Sequence, residues 1–134
     1  MRYNRSMMKS TVIPELAYAD PGKAAQWLEG AFGLSVRLRI ANHRVQMNVG
    51  DGHVVLTDRG VPQTPSSLMV RVENVDAHHA TAAAFGAKIV APPQTYPYGE
   101  RQYTVIDCGG HAWKFSQSVA DVAPEDWGGT SGQL

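Results

Sequence analysis

The sequence predicts an α+β domain built from two tandem modules, each a strand, a helix and three more strands, and three observations carry that reading. One stretch occurs twice: Asp20 to Leu34, DPGKAAQWLEGAFGL, and Glu73 to Ala87, ENVDAHHATAAAFGA, align Ala24 on Ala77, Ala31 on Ala84, Phe32 on Phe85 and Gly33 on Gly86. Self-similarity at a fixed period is a fold-level signal, and two copies suit a pseudo-symmetric domain rather than a solenoid. Period-two alternation of apolar and polar residues follows each copy, as half-buried strands require. The third observation is size: 134 residues, 43% hydrophobic and 18% charged, match one globular domain with a usable core.

Residues 1–10, MRYNRSMMKS, are polar and read as a flexible tail. The first module spans 11–58. Thr11 to Ala19 reads as its opening strand, with Val12, Leu16 and Tyr18 toward a core and Pro14 at an edge or a non-donating position. Asp20 is a natural N-cap, Pro21 suits the first helical position and Gly33 supplies a left-handed stop, so a helix is predicted from Pro21 to Phe32. Its Ala24, Trp27, Leu28, Ala31 and Phe32 form one apolar stripe that covers a sheet. Leu34, Val36, Leu38 and Ile40 then alternate with Ser35, Arg37 and Arg39, which puts both arginines toward water or ligand. Val45, Met47 and Val49 oppose Gln46 and Asn48 in the next strand, and His53 to Thr57 follows the turn Gly50-Asp51-Gly52.

Residues 59–66 carry two prolines and a glycine and read as a linker between the modules. The second module spans 67–118. Leu68, Val70 and Val72 alternate in a fifth strand, and Asn74 caps a second helix whose Val75, Ala82, Phe85 and remaining alanines form the expected buried stripe. The two helices are therefore expected to pack alike. Lys88 to Val90 opens a sixth strand that Pro92-Pro93 should cut short. After the loop Tyr96-Pro97-Tyr98-Gly99, two last strands, Glu100 to Asp107 and His111 to Gln117, make a hairpin through Cys108-Gly109-Gly110. Trp27, Trp113 and Phe115 are assigned to the core. Residues 119–134 read as a tail with a short helical turn between Asp121 and Trp127.

Composition excludes several function classes. The formal net charge is zero and no Lys/Arg block stands out, which argues against nucleic acid and acidic membrane as partners. No apolar run approaches the roughly 18 residues of a membrane span, and the N-terminus lacks a signal-peptide core. A cytoplasmic protein with a small-molecule partner is the expectation. The lone Cys108 cannot close an internal disulfide, consistent with a reducing compartment. The chain has no phosphate loop, HExxH, CxxC or nucleophile elbow.

The strand–helix–three-strand order, the Ala-Phe-Gly after each helix and the stretch YGERQYTVIDCGGHAWKFSQ, with its Gly-Glu-Arg…Asp-x-x-Gly-His-x-Trp pattern, resemble the glyoxalase/bleomycin-resistance family of the vicinal oxygen chelate superfamily. The resemblance covers about Val12 to Trp127. It implies two βαβββ halves that curl into an open, cup-shaped mixed sheet and pair as a homodimer. Members include metal-dependent isomerases, lyases and dioxygenases and metal-free drug-binding proteins, so fold alone leaves function open. The family's metal-ligand positions fall near Ile13, Val55, Ser67 and Lys114, none a competent ligand of the expected kind, and neighbouring Pro14, Leu56, Leu68 and Phe115 are no better. No metal and no other cofactor is therefore expected.

Alternation assigns the cup lining: Gln46, Asn48, His53, Thr57, Arg71, Gln102, Thr104, Lys114 and Ser116, with Glu15 at the first strand. Tyr96, Tyr98 or a partner's Trp127 would supply aromatic walls. The ligand-binding candidates are accordingly Gln46, Asn48, His53, Arg71, Tyr96, Tyr98, Gln102 and Lys114. Glu15 and His53 are the candidate acid–base pair should the cup be catalytic. His78 and His79 read as surface histidines, His111 as a turn cap or exposed residue, and Cys108 as an exposed thiol. Three functions fit: a metal-free small-molecule-binding cup that sequesters its ligand, a vicinal-oxygen-chelate enzyme with an atypical metal or acid–base site, and a dimerisation or interaction module.

Overall fold

The computed structural model describes residues 3–59 and 64–132. Residues 60–63 of the linker expected at 59–66 thus lie outside the described residues. Strand β1 (Glu15–Ala17) leads into helix α1 (Pro21–Phe32), followed by β2 (Ser35–Ile40), β3 (Arg44–Val49) and β4 (Gly52–Thr57). The second module repeats that order as β5 (Ser67–Arg71), α2 (Val75–Phe85), β6 (Lys88–Thr95), β7 (Glu100–Ile106) and β8 (Ala112–Ser118), and a 3-10 turn (Pro124–Trp127) follows. Two open four-stranded sheets result, β1-β4-β3-β2 and β5-β8-β7-β6, each with one parallel pair, β1–β4 or β5–β8, and two antiparallel pairs. The tandem βαβββ architecture is the one the sequence predicts.

Local chemistry sets the helix ends. Asp20 accepts the backbone N–H of Lys23 at 3.1 Å and Asn74 that of Ala77 at 3.0 Å, while Gly33 and Gly86 close the helices at φ 76° and 98°. Gly99 is more constrained: at φ 86° it faces the Ala120 carbonyl so closely that a Cβ would collide with it.

Several expectations are corrected. The first strand begins at Glu15 rather than Thr11, directly after Pro14, whose carbonyl accepts the Val55 N–H. A β-bulge between Val36 and Leu38 inverts the alternation of β2, so Leu38 pairs with Gln46 and Arg39 with Val45. Arg37 and Arg39 therefore leave opposite faces. Strand β6 continues through Pro92 and Pro93, because it is the edge strand and its register shifts between Ala91 and Gln94 relieve the prolines of ladder bonds. The helices do not pack alike: α1 buries seven residues and α2 only Val75 and Ala82. Phe85, expected in the core, is 47% exposed and lies edge-on to Trp27. Trp27 is itself half-buried, between Phe85 and Phe32.

The modules are joined by packing and by buried polar groups. Phe32, the last residue of α1, reaches Trp113 and Phe115 of the second sheet at ring distances of 5.3 and 4.9 Å. His78, read as a surface residue, is instead half-buried between the helices and the second sheet. Its Nε2 donates to the Phe32 carbonyl at 3.0 Å, and its Nδ1 accepts the Tyr103 hydroxyl at 2.6 Å. His111, expected to be exposed, is buried: Nδ1 accepts Ser66 N–H and Nε2 donates to the Ala17 carbonyl, both at 2.8 Å. Asp107 is 6% exposed and receives four donors, the Tyr18 hydroxyl, Trp113 Nε1 and the backbone N–H groups of Gly109 and His111. Burial, then the adjacent Asp107, pushes the Tyr18 phenol far above its ordinary range and keeps it a donor.

Two outcomes are expected. Asp107→Ala strands these buried donors and should lower unfolding free energy by about 3 kcal/mol, against about 1 kcal/mol for Tyr18→Phe, measured by urea unfolding. Burial pushes the His78 imidazole below its ordinary 6.5. The unfolded chain then binds a proton that the native state refuses, so stability is full above that value and declines as pH falls through it. His78→Asn should flatten the fall in melting temperature between about pH 7 and 5.5 relative to wild type; an unchanged profile would overturn the assignment.

Candidate functional site

Each sheet has one face packed on its helix and one face free of helices. On the second sheet the register places two cross-strand rows on the helix-free face, Met69–Lys114–Thr104–Ala91 and Arg71–Ser116–Gln102–Gln94. The second row carries a connected polar network. Tyr98 Oη donates to Gln102 Oε1 at 3.0 Å, Gln102 Nε2 to Ser116 Oγ at 3.0 Å, and Ser116 Oγ to Glu100 Oε1 at 2.7 Å. Arg71 Nη1 reaches Ser118 Oγ at 3.1 Å. The hydroxyls of Ser118 and Ser116 hold the Glu100 carboxyl below the usual range. At the end of this network Tyr96 stacks on Tyr98, with centroids 5.4 Å apart and planes 7° apart, and Trp127 of the same chain leans on Tyr98 at 5.2 Å. Met69, one strand away, is 65% exposed. The face thus combines an apolar patch, a cation at Lys114 and directed polar atoms, the mixture that orients small ligands.

The first sheet's helix-free face is covered instead. Residues 3–10, expected to be a free tail, lie on it as a strap. Arg37 Nη2 donates to the carbonyls of Arg5 and Met7 at 3.0 and 3.1 Å, Gln46 Nε2 to that of Ser6 at 2.8 Å, and Ser10 Oγ pairs with His53 Nδ1 at 2.7 Å.

The sequence-predicted residues accordingly divide. Arg71, Tyr96, Tyr98, Gln102 and Lys114 share the second-sheet region, where Gln102 is buried and bonded to Tyr98. Gln46 and His53 are engaged by the strap, and Asn48 donates to Ser35 Oγ at 3.1 Å on the first sheet. Glu15 and His53 are not brought together: Glu15 lies 3.8 Å from Arg44, while His53 bonds Ser10. Glu100 was missed, although its alternation with Gln102 and Thr104 was visible in the sequence. The metal expected of enzymes in the resembling family does not fit. Val55 is buried, Lys114 brings a positive charge, and no group of three or more His, Cys, Asp or Glu among the described residues could hold an ion.

Tandem βαβββ modules with a helix-free face of this kind define the class as a protein of the vicinal oxygen chelate fold. The chain belongs to the Glyoxalase/Bleomycin resistance protein/Dioxygenase superfamily, whose family model matches residues 11–115. It is 36% identical to TioX from Micromonospora sp. ML1, with a TM-score of 0.74 over 81% of this chain and 98% of that one. A lactoylglutathione lyase from Agrobacterium tumefaciens shares the fold at 15% identity and TM-score 0.68, covering 81% of this chain and 93% of the other. A glyoxalase/bleomycin resistance protein/dioxygenase from Nocardioides does so at 19% identity and TM-score 0.63, over 93% of this chain and 89% of that one. The last two likenesses bear on fold alone. No curated protein matches the chain.

A separate cleft of about 490 Å³ opens where the modules meet, lined by Tyr18, Lys23, Trp27, Cys108 and His111 among others. Cys108 is the free thiol there. Desolvation, with Asp107 adding to it, pushes the thiol up to about 11, which leaves little thiolate near neutrality. Alkylation of Cys108 by iodoacetamide at about pH 7.5 should run roughly a hundredfold slower than that of a free cysteine of ordinary pKa. A rate equal to the free thiol would restore it as a nucleophile candidate.

Proposed function

We propose that the protein binds a polar or amphipathic small molecule on the helix-free face of its second sheet, without a metal, and holds it by sequestration rather than by chemical conversion. The observation that carries this reading is the contrast between the two faces. The first is filled by the chain's own strap, whereas the second leaves Met69 and Lys114 beside the Tyr98–Gln102–Ser116–Glu100 network. Three features support a ligand here. The tyrosine stack offers a flat apolar wall, the buried Gln102 and Ser116 fix Tyr98 and Glu100 by hydrogen bonds, and Lys114 supplies one cation. The donor set, with lysine at a family ligand position, disfavours metal-assisted chemistry. The exposed Met69 and Val90 of the second sheet fit a second copy of the chain, so the cup is taken to be completed in a homodimer.

Thermal melts against a small-molecule library test the reading. Compounds that raise the melting temperature of wild type should lose about tenfold or more in affinity on Gln102→Leu and on Lys114→Ala, because the anchor of Tyr98 or a charge is removed. Light scattering should give a dimer. Hits indifferent to both substitutions would move the site elsewhere. A melting rise on adding Mn²⁺, Fe²⁺, Ni²⁺ or Zn²⁺, abolished by chelator, would favour an enzyme with an atypical metal site.

A further inference from the structure

We propose that the helix-free face of the first sheet is a binding site for an extended peptide backbone, occupied in this structure by the chain's own residues 3–10. The contacts identify the chemistry. Arg37 and Gln46 donate to the main-chain carbonyls of Arg5, Ser6 and Met7, three successive residues, and not to their side chains. Recognition of this kind reads backbone rather than sequence. Arg37 Nη1 also donates to Gln46 Oε1, so the guanidinium and the amide brace each other and present their remaining N–H groups to one line of acceptors. Alternation from Val36 puts Arg37 on this face beside Gln46, and the bulge at Val36/Leu38 leaves it there while sending Arg39 to the other face.

The occupant is lightly held. Met8, 6% exposed, is the single buried residue among residues 3–10, and Tyr3 to Met7 and Lys9 are all exposed. One apolar anchor, the backbone bonds and the Ser10–His53 contact keep the strap in place. Nothing in the βαβββ frame requires such a cover, since the equivalent face of the second sheet leaves Met69 open. Once the strap lifts, Arg37 and Gln46 exchange its carbonyls for water and are free to donate to another molecule whose carbonyls lie in the same line. The ligand class is therefore a peptide or peptide-like molecule offering successive carbonyls and a methionine-sized apolar group next to them. The strap competes with it in cis, at an effective concentration on the order of millimolar for a directly attached segment. The site shares no residue with the second-sheet network, so it stands or falls apart from the proposed function.

The test uses the full chain and a fluorescein-labelled synthetic peptide of residues 3–13, followed by anisotropy. Met8→Asp removes the anchor in cis and should raise affinity for the labelled peptide about tenfold or more over wild type, as the competing segment is weakened. Adding Arg37→Ala to that variant should cancel the gain, again by about tenfold or more, through loss of a charged donor. If Met8→Asp fails to fold by near-UV circular dichroism, the milder Met8→Ser carries the same comparison. A folded anchor variant that gains no peptide binding, or binding indifferent to Arg37→Ala, would overturn the proposal. Binding of library compounds at the second sheet would be unaffected by either result.

Discussion

The Asp107 carboxylate sits where the two modules meet, and its satisfaction conditions much of what surrounds it. A buried acid is costly unless its lone pairs are used, and here Tyr18 from the first module and Trp113, Gly109 and His111 from the second use them. The Tyr18 bond ties the end of β1 to the β7–β8 turn, and His111 repeats the tie through the Ala17 carbonyl. Phe32 completes the junction by entering the aromatic group of Trp113 and Phe115. Among the described residues no buried side-chain nitrogen or oxygen lacks a partner. A junction so fully bonded holds the two sheets in one relation, and each module's helix-free face follows from it.

Pseudo-symmetric frames need not carry equivalent faces, and here the difference arises from a few side chains. On the first sheet Arg37 and Gln46 share the helix-free face and brace each other, and that pair attracts carbonyls, which the N-terminal strap supplies. On the second sheet Gln102 and Ser116 satisfy each other within the sheet, together with Tyr98 and Glu100. These groups are buried with their partners already supplied, so they call for no strap, and the face stays open at Met69.

What the sequence revealed follows the range of the forces involved. Caps at Asp20 and Asn74 and stops at Gly33 and Gly86 act over three or four residues, so α1 was legible to the residue and the tandem order was clear. The inverted alternation after Val36 was not, because a bulge is chosen by the pairing partner as much as by the strand. Pro92 and Pro93 read as breakers because edge position is a tertiary property. The strap was illegible for the same reason: a polar segment without periodicity is ordered by donors more than twenty-five residues away, at Arg37 and Gln46. His78 looked like a solvent residue since nothing local shows that Phe32 and Tyr103 will bracket it. On the candidate site, alternation found Arg71, Gln102 and Lys114, where the strands are regular, and failed to show that Gln46 and His53 would be engaged by the chain itself.

The chemistry available to the second-sheet face follows from what lies at the metal positions of enzymes in the resembling family. A divalent ion wants several carboxylates or imidazoles converging on one point, and this chain offers a buried valine at one position and a lysine at another. Glu100, the carboxylate beside the network, is committed to Ser116 and held below the ordinary carboxylate range by seryl hydroxyls. An acid stabilised as its anion is a weak proton acceptor, which makes it a poor general base near neutrality. The arrangement is suited to holding a molecule through fixed dipoles and one cation, and ill suited to moving its protons. That is the physical ground for reading the site as a binding cup.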